Sequence, residues 1–318
     1  MYVNYLLAIA AGLASSFFNL SVLTGGVASI FMSVLVSLPL FLSGLGLGTR
    51  GATISVLVAV IVNAMIGGFS FAGSFLLLAG IPALIISRQA LLAKPTANGQ
   101  MEWYPLGHLL TWLTGLVIPY AGTLLIFSMG EDGGAWGQIN VLVTNIFEAL
   151  SAEAPEGTPP LFDAAAIEIT VRLIPAVMAA AWMFGIVVDA VLAQVILRRL
   201  GRNIRQDTDI VDIRLPNWLA AGFLAALVLA VWGPGDLSFF GTVVSGAGAL
   251  AYFFQGLAVV HALARNMRVG RLFLIPFYVL LFIFVGWLPV MVFGLGLIDQ
   301  AVDFRSRMSG GGSDQEDE

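Results

Sequence analysis

The chain has 318 residues, of which 59% are hydrophobic and only 10% charged, with a mean hydropathy of +0.95; these values exclude a water-soluble domain and leave room for about eight to ten membrane helices at roughly 20 residues each. With no Cys and two His, the chain cannot hold disulfides, iron–sulfur clusters, thiolate zinc sites, a thiol nucleophile or a His-rich metal centre, so neither a metal nor a cofactor is expected. The net charge of -5 comes mainly from an acidic loop and an acidic tail, not from a basic face, which argues against a nucleic-acid partner.

In chain order, apolar runs occupy Tyr5–Leu23, Val27–Leu47, Ala52–Ile66, Phe69–Ile86, Pro105–Phe127, Glu168–Leu197, Trp218–Trp232, Phe239–Leu263, Leu272–Val285 and Leu288–Val302. The expected fold is all-α, a polytopic integral membrane helix bundle of about 8–10 transmembrane helices, several kinked or short. Residues 1–308 read as one transmembrane domain. The first run lacks a basic flank and is expected to stay attached rather than act as a processed signal. Six runs contain Pro (Pro39, Pro82, Pro119, Pro175, Pro276 and Pro289), so broken or kinked helices are expected. Gly46-Leu47-Gly48-Thr49-Arg50-Gly51 has the spacing of a dinucleotide-binding loop, but it joins two apolar helices rather than a strand and a helix, so it reads as a span boundary. The tail 309–318 is too polar to bury surface and is expected to be disordered.

Cytoplasmic loops retain Lys and Arg during insertion. Both termini are therefore placed in the cytoplasm, which leaves 13 of the 14 basic residues inside and only Arg172 out. The same assignment puts the acidic loop 130–166 outside. Within it, Ile139, Leu142, Val143, Ile146 and Leu150 recur at helical spacing behind Trp136, the pattern of an interfacial helix. The loop 198–217 becomes cytoplasmic and able to attract anionic headgroups. A terminal hairpin turning at Gly286 and Trp287 is preferred to one long helix, because only the hairpin returns Arg305 and Arg307 to the inside.

Asp189 lies nine positions before Arg198, roughly 13 Å into the membrane at about 1.5 Å per residue. A carboxyl group at that depth must face the protein interior, find a partner or be protonated. Gln255 lies at a similar depth on another span, and the two are expected to meet, with Tyr252 one turn along the Gln255 face and Asn63 as a further polar candidate. The set reads either as a buried polar site for a solute or proton, or as an interhelical hydrogen bond. Arg172 is about 25 Å from Asp189 along the helix. It is instead expected to form a structural ion pair with Glu168 at i, i+4 near the outer surface. His108 and His261 lie near helix ends and read as interface histidines. Gly12 with Ser16, Ala181 with Gly185 and Gly241 with Ser245 have the four-residue spacing of close helix packing. No catalytic set can be assembled, and the chain is not expected to be an enzyme.

Three segments carry a resemblance: Arg214-Leu215-Pro216-Asn217-Trp218, Gln255-Gly256-Leu257-Ala258-Val259, and Gly296-Leu297-Ile298-Asp299 followed by Phe304-Arg305. Together they resemble the YybS-like family of predicted bacterial membrane proteins, domain of unknown function 2232. The resemblance implies a multi-pass protein of the bacterial cytoplasmic (inner) membrane. The family is distantly similar to the substrate-binding subunits of energy-coupling-factor vitamin transporters, whose first helix docks a partner through an Ala-x-x-x-Ala stripe, here Ala10 with Ala14. Two functions stay open: a solute-binding or transport component without its own ATPase, taking an unknown small solute, and a non-catalytic scaffold for a membrane or cytoplasmic protein partner. The lipid bilayer is a partner in both.

Overall fold

A computed structural model describes residues 2–152, 163–206, 209–267, 270–303 and 305. The tail 309–318, residues 153–162 of the acidic loop, and Asp207, Arg268, Phe304 and Arg307 lie outside the described residues. The bilayer core offers no water to backbone amides, so each apolar run satisfies its own groups as helix. The described chain is almost wholly helical. Its helices are α1 (Tyr2–Leu20), α2 (Val27–Val34), α3 (Leu38–Leu47), α4 (Thr49–Phe75), α5 (Ile81–Ala90), α6 (Leu106–Ser128), α7 (Gly134–Ala152), α8 (Ala164–Arg199), α9 (Trp218–Trp232), α10 (Asp236–Asn266), α11 (Gly270–Ile283) and α12 (Leu288–Val302). The strands β1 (Ala93–Pro95) and β2 (Met101–Trp103) form a small antiparallel hairpin between α5 and α6, with Lys94 Nζ 3.0 Å from Glu102 Oε2 across it.

Six helices are long and apolar enough to cross a membrane among the described residues, or seven if α11 and α12 count as one bent span, and α9 is a shorter apolar helix. The third and fourth apolar runs fall in one continuous helical stretch, Thr49–Ala90. That stretch doubles back. Gly68 interrupts α4 at φ 86 and ψ 173, and a Cβ built on Gly80 would lie 3.0 Å from Val56 Cγ1. Residues 56 and 80 of a straight helix would stand about 36 Å apart. The second run is broken as well, into α2 and α3 at residues 35–37, with Pro39 in the first turn of α3. The Gly46 to Gly51 segment is a span boundary, as its flanks predict: α3 stops at Leu47 and α4 starts at Thr49, with Gly48 at φ 81 between them.

The chain forms two compact units, Met1–Leu113 with Met183–Arg214 and Thr114–Trp182 with Leu215–Glu318. In the first, α1 and α4 run side by side in parallel. Gly12 lies against the Ser55 carbonyl and Val58, and Ser16 Oγ donates to the Ala59 carbonyl at 3.0 Å. The small residues of α1 that are buried are Ala8, Gly12, Ser15 and Ser16, whereas Ala10 is exposed and Ala14 half-buried. Arg205, buried in the loop after α8, pins the ends of the neighbouring elements: Nη1 donates to the Ala90 carbonyl and Nη2 to the Tyr104 carbonyl, each at 2.9 Å. Burial lowers its pKa from the ordinary arginine value.

In the second unit, α9 and α10 are an antiparallel pair, with Phe223 against Gly248 and the Ala226 to Ala230 backbone against Gly241. Within the acidic loop the expected helix is α7. Its N-terminus is held by Asp236, whose Oδ1 accepts from the Ala135 amide at 3.0 Å, a carboxylate at the positive end of a helix. Trp136 Nε1 donates to Ser238 Oγ at 2.9 Å and its ring meets Phe239 edge-on. Helices α11 and α12 meet at 119°, so the last two runs form a hairpin.

Candidate functional site

The first unit builds a polar site from a broken helix. Where α2 stops and α3 starts, the chain frees an amide and a carbonyl that lipid cannot satisfy. Ser15 on α1 donates Oγ to the Val36 carbonyl at 2.7 Å. Asp189 on α8 accepts the Ser37 amide on Oδ2 at 3.1 Å. Both side chains are buried, Asp189 at 1% exposure, and its Oδ1 has no hydrogen-bond partner. An intramembrane carboxyl costs about 2.5–3.5 kcal/mol on insertion scales, and one amide offsets only part of that. The bare Oδ1 is thus a buried acceptor, or a proton-bearing donor, beside backbone that is not in regular helix.

Asn63, expected to join Asp189, belongs to a different contact. Its Nδ2 donates to the Ala59 carbonyl at 2.8 Å and to Ser16 Oγ at 3.2 Å, and its Oδ1 accepts from Asn19 at 2.8 Å. It is spent on joining α1 to α4. Asp189 and Gln255, expected to meet, fall in different units, and the hydrogen bonds described for each are made within its own unit.

In the second unit Gln255 is a three-way connector. Its Oε1 accepts the Leu215 amide at 3.0 Å, and its Nε2 donates to the Gly296 carbonyl at 3.3 Å and to Asp299 Oδ2 at 3.1 Å. Arg305 closes the set, donating to the same Oδ2 from Nε at 3.1 Å and Nη2 at 2.8 Å. Asp303, in the left-handed region at φ 47, turns the chain after α12 so that Arg305 folds back onto Asp299. Gly256 and Gly296 let α10 and α12 touch: a Cβ on Gly256 would land on the Val292 carbonyl, and one on Gly296 on the Tyr252 carbonyl. Tyr252 is fully buried with its ring 5.5 Å from that of Phe223, and its hydroxyl has no hydrogen-bond partner. At α9 the network extends outward, where Gln300 Nε2 donates to Asn217 Oδ1 at 2.6 Å.

Leu215, Gln255 and Gly256, and Gly296, Asp299 and Arg305 come from the three segments that carried the resemblance and form one buried cluster, while Asn217, from the first segment, is exposed beside it. A family described as a predicted membrane protein (DUF2232) matches residues 12–300. The chain belongs to this family. No curated protein and no solved structure matches it, so the likeness to energy-coupling-factor subunits gains no support from relatives. The DUF2232 match covers both units and every residue of the two polar sites except Arg305.

The remaining candidates sit at the helix ends. Glu168 and Arg172 form the expected i, i+4 ion pair at 2.9 Å, both side chains well exposed, so it contributes at most a few tenths of a kcal/mol. His261 places Nδ1 2.9 Å from the Leu257 carbonyl, which makes that nitrogen the donor and leaves Nε2 to accept from the Tyr278 hydroxyl at 3.4 Å. His108 packs edge-on against Tyr104.

Proposed function

We propose that this DUF2232 protein is a solute-binding or transport component of the bacterial cytoplasmic membrane, non-enzymatic, and driven by an ion gradient or a separate ATPase. The observation that carries this reading is the α2/α3 break: a span interrupted within the bundle, its freed amide held by Asp189, and one carboxyl oxygen left without a partner. Discontinuous membrane helices supply polar backbone where a solute or ion binds, and irregular backbone is tolerated at membrane depth only when it is buried in protein or lines a cavity. In this reading Asp189 is the ligand-binding residue. Gln255 and Asn63 have their hydrogen-bonding groups engaged by protein and serve to fix the helices, and Tyr252 keeps a buried free hydroxyl of its own.

The test is the set of small molecules released when full-length protein, extracted from its native membrane, is denatured and read by mass spectrometry. A molecule released in proportion to wild-type protein and lost from Asp189→Ala, while Asp189→Asn retains some and both variants melt cooperatively, is the expected outcome. Release from wild type and Asp189→Ala alike, or recovery of only protein partners with no small molecule, would favour the scaffold.

A further inference from the structure

The end of α8 is built with more definition than a topology-setting basic loop requires. Arg199 is the last residue of the helix, and the chain closes there in a Schellman motif: the Arg202 amide donates to the Leu197 carbonyl at 2.9 Å and the Gly201 amide to the Arg198 carbonyl at 3.1 Å, with Gly201 at φ 65. The loop that follows is then fixed from below. The Arg205 carbonyl accepts from Gln194 at 2.9 Å and from Asn203 at 3.0 Å, and its buried guanidinium holds the Ala90 and Tyr104 carbonyls. Between these anchors Arg199 and Arg202 are exposed, and so are two aliphatic side chains, Leu200 at 66% and Ile204 at 45%. Arg88, also exposed, is one half-turn before the Ala90 carbonyl that Arg205 holds. Among the described residues, the acidic ones of the following loop are Asp209, whose Oδ1 accepts from the Val211 amide, and the exposed Asp212; the sequence also places Asp207 there.

We propose that this rigid turn is a binding site for the phosphodiester headgroup of an anionic phospholipid. A guanidinium presents paired N–H donors that match two phosphate oxygens. Leu200 and Ile204, at the level where a membrane-spanning helix ends, supply apolar surface for the first carbons of the acyl chains, which a soluble phosphate or an acidic peptide has no use for. Because the turn is already held by four hydrogen bonds to side chains and by the helix itself, little ordering is lost on binding. This inference is independent of the role given to Asp189.

The experiment is native mass spectrometry of the full-length protein in detergent, supplied with equal amounts of phosphatidylglycerol and phosphatidylcholine bearing the same acyl chains. Wild type is expected to retain phosphatidylglycerol preferentially. Each surface arginine contributes about fivefold to such a preference, so Arg199→Gln with Arg202→Gln should reduce it about 25-fold. Leu200→Ser should weaken phosphatidylglycerol retention with the charge intact, and Arg172→Gln, on a residue paired with Glu168, should leave it unchanged. An unaltered preference in the double variant would overturn the proposal. So would displacement of the lipid by an equal concentration of inorganic phosphate, or indifference to Leu200→Ser, since either result would make the turn a site for small anions.

Discussion

Asp299 and Arg305 show how a single buried pair can hold the end of a membrane domain. Their side chains are 2% and 6% exposed, and Asp299 Oδ2 takes three donors, two from Arg305 and one from Gln255. Removing one member of such a pair leaves an uncompensated charge and costs about 3–5 kcal/mol, whereas replacing both with apolar groups is often close to neutral. Arg305→Leu is therefore expected to lower unfolding stability in detergent by about 3–5 kcal/mol, and adding Asp299→Leu should restore most of the loss. Strictly additive costs in this cycle would mean that the two residues are not coupled. Neither residue was legible as a site. An Asp three residues from a helix end and an Arg beyond it have the composition of an ordinary membrane boundary, and Arg305 reads there as a determinant of topology. The available signal was the recurrence of both in the resemblance segments, which the fold brings together around Gln255.

At the scale of elements, breaks in helices decide what the bundle can do. Gly68 sits at φ 86 and ψ 173, a region open essentially to Gly alone, where another residue costs about 1–3 kcal/mol. It turns Thr49–Ala90 back on itself. Gly68→Ala is expected to lower thermal stability by that amount, while Gly73→Ala, at a helical glycine with nothing within 4 Å of the added carbon, should be neutral or stabilising by up to about 1 kcal/mol. If the two variants melt alike, the turn does not depend on the Gly68 conformation. This break was visible in the sequence, since two adjacent glycines divide one apolar run from the next. The break at residues 35–37 was visible only as a kink at Pro39. Its partners were not, because Ser15 and Asp189 are separated from it by 21 and 152 residues, and hydropathy orders residues by depth without saying which faces meet.

For the molecule as a whole, the question is which side of the membrane each end occupies. In the second unit α9 opens beside the end of α12: Asn217 meets Gln300, and Phe223 meets Phe293 six residues further along α9 and seven back along α12. Helices α9 and α12 are thus antiparallel. Leu215, at the same end, meets Gln255 on α10, ten residues before Arg265. The α11/α12 hairpin therefore returns the chain to the end where α9 begins and α10 approaches its basic terminus, and there Arg305 is held by Asp299. Apolar length alone fixes where spans lie but not this return, which the sequence supported only through the sign of the loop charges. Since Lys and Arg are retained on the cytoplasmic side during insertion, that end is expected inside, and the acidic segment carrying α7 outside. A reporter active only in the cytoplasm, fused after Arg307, is expected to give signal. One active only outside is expected to give signal when inserted between residues 130 and 166. Outside activity after Arg307 would place Arg305 and Arg265 on opposite faces of the membrane, and the buried bonds from Gln255 on α10 to Gly296 and Asp299 on α12 could not form.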